Sequence, residues 1–133
     1  SIHIVAHWVE KLLKDFGIDI LSLSDTIGSS SPKVITWLFS KLIKEFPDVE
    51  FGAHLHSNPD NYFDKFQSAY NAGCKRFDGS ILGIGGCPMA KDDLVGNMAT
   101  EKMIEFLDDK AVKLKINKDS LQKSLSIAKS IFQ

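Results

Sequence analysis

Cysteine is scarce in this chain. Only Cys74 and Cys87 occur, too few for a disulfide framework, and unpaired thiols fit a reducing compartment. The expected location is the cytoplasm, or an organellar matrix once a transit peptide has been removed. An excess of charge is lacking too: 16 Lys and Arg stand against 17 Asp and Glu, which removes the electrostatic case for nucleic acid or an anionic membrane surface. No apolar run approaches the roughly 20 residues of a bilayer-spanning helix. The first residues do not show the charged-then-apolar layout of a secretion signal. Low-complexity stretches and linkers are absent, leaving 133 residues that are 44% hydrophobic and 25% charged, enough for one domain with a real core.

Periodicity supplies the architecture. Ile2, Val5, Ala6, Val9, Leu12, Leu13 and Phe16 form the stripe of an amphipathic helix over residues 2–16, closed by Gly17. A short apolar strand is expected over 18–24, then a loop over 25–31. Pro32 after Ser31 starts a second helix whose inward face carries Ile35, Leu38, Phe39, Leu42, Ile43 and Phe46. Residues 49–56 read as a strand with two unlike faces: Val49, Phe51, Ala53 and Leu55 on one, Glu50, Gly52, His54 and His56 on the other. A helix layer would cover the first set, turning the histidines to the interior of the sheet or barrel. Asn58-Pro59 is expected to open a third helix ending at Gly73, and 74–82 to form a third strand. Thr100 and Asn117 cap two further helices. Strands at roughly 30-residue spacing, separated by amphipathic helices, predict an α/β fold with a parallel sheet, taken as a single partial barrel domain over 1–133 with C-terminal helices from about residue 100.

The unusual polar residues fall at the C-terminal ends of these strands, where parallel α/β folds place their chemistry. On an extended chain His54 and His56 leave on one face about 7 Å apart, a spacing that suits one divalent metal as well as it suits two hydrogen-bonded core histidines. Asn97 reads as a turn or cap residue on its own; with the imidazoles its amide oxygen suits Mg²⁺ or Mn²⁺. Gly83, Gly85 and Gly86 surround Cys87 in a loop that must bend sharply and come close to something. A thiol at such a tip can reach a substrate, although free cysteines are more often small core residues. Asp25, before Thr26-Ile27-Gly28, serves equally well as a functional carboxylate or a loop cap. His3 and His7 read as surface residues, Cys74 as core, and Glu10 with Lys14 as an exposed helix pair.

Asp25-Thr-Ile-Gly28, Gly52-Ala-His-Leu-His56, the Gly-x-Gly-Gly-Cys-Pro loop at 83–88 and Gly96-Asn-x-Ala-Thr-Glu101 resemble, in order and spacing, the hydroxymethylglutaryl-CoA lyases. These are metal-dependent TIM barrels of the branch that includes the isopropylmalate and homocitrate synthases. The His-x-His is common to that branch, whereas the cysteine-bearing glycine loop is narrower and favours the lyases. The resemblance implies the C-terminal part of a (β/α)8 barrel, strands six to eight. It implies His54, His56 and Asn97 as metal ligands, and His54, Cys87 and Asp25 as catalytic residues. Gly83, Gly85, Gly86 and Cys87 would form a loop over an acyl-CoA substrate. The metal would polarise the substrate oxygens while a base takes the hydroxyl proton, the carbon–carbon bond breaks, and an acid protonates the thioester enolate.

Two departures stand out. Ser57-Asn58 replaces the usual Asp-Thr after the second histidine, and Met89 with the segment 91–95 replaces a smaller, glycine-bearing stretch. The first five strands, with an Arg-Asp pair that supplies another ligand, have no counterpart in these residues. The chain is therefore expected to be a fragment, inactive alone, whose open sheet packs on another copy as a homo-oligomer. The alternatives are an aldolase or Claisen-type synthase of the same branch, which would not need Cys87, and a non-catalytic truncated barrel.

Overall fold

A computed structural model describes residues 2–86 and 95–132. In chain order these form α1 (Ile2–Phe16), β1 (Ile20–Asp25), α2 (Pro32–Glu45), β2 (Glu50–Ser57), α3 (Tyr62–Asn71) and β3 (Arg76–Asp78). A 3-10 turn at Ile81–Gly83, β4 (Gly96–Asn97), α4 (Thr100–Asp109) and α5 (Lys118–Phe132) follow. β2 lies between β1 and β3, parallel to both, with Ser24 beside His54 on one side and Asp78 beside it on the other. β4 runs antiparallel to the end of β2, pairing His56 with Asn97. The described residues thus form an open, mostly parallel sheet with flanking helices.

Alternation along β2 sorts the layers. Phe51, Ala53 and Leu55 are buried under α2 and α3 together with Ile35, Phe39, Leu42, Phe66 and Ala69. Ser31 caps α2 by accepting from the Val34 N–H, with Pro32 in the first turn. α4 joins through an aromatic cluster in which the Phe66 and Phe106 rings meet edge to face at 5.0 Å between centroids. The opposite sheet face is open, and Ser22 and Ser24 are exposed on it.

Four expectations are corrected. β1 runs one residue further, so Asp25 belongs to the strand rather than the loop. Asn58-Pro59 does not start α3. Asn58 Oδ1 accepts from the Asp60 and Asn61 N–H groups while Asn61 Oδ1 accepts from Asn58 N–H, a closed turn that delays the helix to Tyr62. β3 covers three residues instead of 74–82, because the chain bends where a Cβ at Gly79 would meet Met98 O at 2.6 Å. Thr100 is the first residue of α4, after Ala99, whereas Asn117 does accept from Ser120 N–H at the start of α5.

Phe66 is 2% exposed and touches both the sheet and α4, so Phe66→Ala is expected to cost about 3–5 kcal/mol. Urea titration followed by far-UV circular dichroism measures this; a loss under 1 kcal/mol would contradict the packing.

Candidate functional site

β2 places His54 and His56 on one face, with ring centroids 5.3 Å apart. His56 is 4% exposed, and its Nδ1 is buried with no hydrogen-bond partner among the described residues. β4 brings Asn97 directly opposite His56, and side chains at such paired positions share a face at about 5 Å between Cβ atoms. The Asn97 amide nitrogen donates to Ile84 O at 3.1 Å, a bond that does not engage its carbonyl oxygen. A buried imidazole nitrogen with no partner among the described residues, on a strand position paired with a carboxamide and on one face with a second imidazole, is a donor set that fits a divalent cation. Among the described residues no three His, Cys, Asp or Glu side chains cluster for metal binding, so the set rests on two imidazoles and one carboxamide.

The glycine segment approaches β4 of its own chain. Asn97 N–H donates to Gly85 O at 3.0 Å. At Gly83, with φ +65°, a Cβ would lie 2.9 Å from Asn97 O, so both the conformation and the close backbone approach require glycine there. A cleft of about 310 Å³ opens beside this contact, lined by Ser57, Asn58, Tyr62, Gly83, Asn97 and Glu101 among others. Glu101 accepts from the Leu82 N–H at 3.0 Å, holding the turn before the glycines. Cys87, Met89 and 91–94 lie outside the described residues.

Asp25 is not brought to the histidines. It pairs in register with Leu55 and therefore faces the helix layer, away from His54 and His56. Its Oδ1 accepts from Ser29 N–H and its Oδ2 from Ser30 N–H, each at 3.0 Å. Oδ2 also receives the Lys65 ammonium at 3.1 Å. Of the two readings of Asp25, these contacts show the loop cap, on the side of the sheet opposite the histidines. Lys65, 2% exposed, spends its other donors on Gly28 O at 2.7 Å and His56 O at 2.9 Å.

Sequence reasoning missed Lys65, although it sits among Tyr62, Phe66 and Ala69 at helical spacing, where a lysine must find partners. It also missed Asp78. Asp78 Oδ2 lies 3.8 Å from His54 Nδ1 and accepts from Ser22 Oγ at 2.6 Å. Ser57, at one of the departures, is buried with its hydroxyl 3.0 Å from Met98 Sδ rather than on either imidazole. His3 and His7 are exposed on α1 as expected.

A family model described as HMGL-like matches residues 2–128. The chain belongs to the HMGL-like family. A hydroxymethylglutaryl-CoA lyase of Bacillus subtilis is 35% identical over 92% of this chain and 40% of its own length. An (R)-citramalyl-CoA lyase of Chloroflexus aurantiacus is 31% identical over 80% of this chain and 33% of its own. A solved HMG-CoA lyase of Acinetobacter baumannii, in complex with coenzyme A and 3-methylmalate, superposes with a TM-score of 0.82 at 28% identity. It covers 96% of this chain and 41% of that one. The chain thus spans about two fifths of the length of the Bacillus relative. The open sheet of this HMGL-like chain corresponds to part of the TIM barrel of its structural neighbours. Among the described residues no helix is long and apolar enough to cross a membrane.

Two outcomes follow from the buried groups of this HMGL-like chain. Lys65→Met leaves the Asp25 carboxylate buried without its counter-charge and is expected to cost about 3–5 kcal/mol in a denaturant titration; a loss below 1 kcal/mol would show the pair to be dispensable. Burial pushes the Cys74 thiol up from 9.0 to about 11, helped by the nearby Asp78 charge. Because the folded value is the higher one, its stabilisation is full below about pH 8.5 and is lost as pH rises toward 11. Iodoacetamide at pH 8.5 should therefore modify Cys74 only after unfolding, as read by peptide mass spectrometry, and native-state labelling would refute the burial.

Proposed function

We propose that the protein carrying this chain is a divalent-metal-dependent carbon–carbon lyase acting on a 3-hydroxyacyl-CoA, with 3-hydroxy-3-methylglutaryl-CoA cleaved to acetyl-CoA and acetoacetate. The observation that carries this reading is the convergence of His54, His56 and Asn97 at the C-terminal end of β2, beside the glycine segment. The names of the relatives supply the substrate class, and the neighbour complexed with coenzyme A supports the thioester.

His54, His56 and Asn97 would hold Mg²⁺ or Mn²⁺, completed by a ligand from outside these residues. The cation supplies Lewis-acid polarisation of the substrate hydroxyl and carbonyl oxygens. His54 is half-buried, unlike His56, and so can reach substrate and move a proton. Removal of the hydroxyl proton lets the carbon–carbon bond break to a carbonyl product and a thioester enolate, which takes a proton at carbon. We assign Cys87 to that second transfer, at the tip of the glycine loop. The glycine backbone is fastened to β4, and closure over the histidines would keep water from the enolate. The open sheet face would be covered by further β/α units or by a second copy, and work in a reducing compartment suits the free thiol of Cys74.

The citramalyl-CoA lyase relative favours a second acyl group on the same chemistry. Assaying the full-length protein with Mg²⁺ or Mn²⁺ on both thioesters decides between them. His54→Ala is expected to lower turnover by at least about 100-fold, and failure to cleave either substrate with either metal would overturn the lyase reading.

A further inference from the structure

The open face of the sheet carries a polar chain that no part of the proposed reaction uses. Ser22 on β1 and Asp78 on β3 are separated by β2, yet their side chains meet at 2.6 Å. Gly52 makes this possible: it pairs with Ser22 on one side and Arg76 on the other, and a Cβ there would lie 2.8 Å from Ser22 Oγ. Gly52 does not adopt a left-handed conformation, so its lack of a side chain serves the passage across the strand. The Asp78 carboxylate is in register with His54, and the Oδ2 that accepts from Ser22 faces His54 Nδ1 at 3.8 Å. At that separation the two groups are in ion-pair range but not hydrogen-bonded. Among the described residues, Asp78 is the acidic group that faces this imidazole.

An ionised carboxylate only accepts hydrogen bonds, so a neutral imidazole can meet it only with its N–H. A carboxylate anchored on one side of a ring thereby sets which nitrogen carries the proton and leaves the other as the lone-pair donor. We propose that Asp78 is a positioning residue for His54. Held by Ser22 across Gly52, it keeps the His54 proton on Nδ1 and presents Nε2 to the site. The task of the presented nitrogen rests on the lyase reading above; the tautomer does not.

The test separates the two. In full-length protein labelled with ¹⁵N-histidine, long-range ¹H–¹⁵N correlation at about pH 8.5, above the ordinary imidazole range, should show His54 as the Nδ1–H tautomer without any metal added. Asp78→Ala should convert it to a mixture dominated by Nε2–H. Ser22→Ala and Gly52→Ala, which loosen the carboxylate while leaving both it and the ring chemically intact, should shift the ratio in the same direction. A wild-type ring that is Nε2–H or doubly protonated, or a ratio unchanged by Asp78→Ala, overturns the proposal. Mn²⁺ titration followed by electron paramagnetic resonance gives the second readout. Asp78→Ala should weaken binding about 10–100-fold; unchanged affinity overturns the positioning role. Wild-type protein that binds no Mn²⁺ sinks the lyase reading while the tautomer result still decides the role of Asp78.

Discussion

The ammonium group of Lys65 is the constraint on which the arrangement depends. Buried on α3, it must be neutralised and must fill its three donor positions. It does so with the Asp25 carboxylate and the carbonyls of Gly28 and His56. One cation therefore ties together the end of β1, the turn that follows it, the end of β2 and the first turns of α3. No hydrophobic contact specifies position so narrowly, because dispersion and burial are non-directional whereas each N–H must point at an oxygen. His56 inherits its backbone position from this knot.

The sheet then divides labour between its faces. Under the helices, Phe51, Ala53 and Leu55 supply the burial. On the open side, apart from Ile20, the strand residues are small or polar, and the absence of side-chain bulk at Gly52 is used to let two other strands communicate. Alternation at period two keeps the tasks from interfering: Asp25 and His54 are near neighbours across the β1–β2 pair, yet they project to opposite sides.

What was legible in the sequence was what depends on period. The stripes of α1 and α2 and the two faces of β2 followed from spacing, and the strand ends collected the polar residues as parallel folds require. Local punctuation was less reliable. Asn58-Pro59 looks like a helix start, but two asparagine side chains closing on each other's backbone compete successfully with helix initiation. The stretch after Cys74 reads as a full strand, but Gly79 lies tight against Met98 and Met103 and the chain leaves the sheet. β4 is two residues long, too short for any period to register, although it is the element that carries Asn97 to His56. Asp25 reads equally as a loop cap or a functional carboxylate; its pairing with Lys65 was not legible because a partner 40 positions away leaves no local trace.

Asn97 stands at a junction of two kinds of contact. Its peptide N–H and its amide nitrogen both donate to the glycine segment, at Gly85 and Ile84, while its position across from His56 is set by strand pairing. Displacing that segment must therefore either twist the carboxamide away from the imidazoles or break a hydrogen bond. Loop posture and the orientation of the Asn97 carboxamide are mechanically the same variable, so that side chain keeps its place only while the segment is seated.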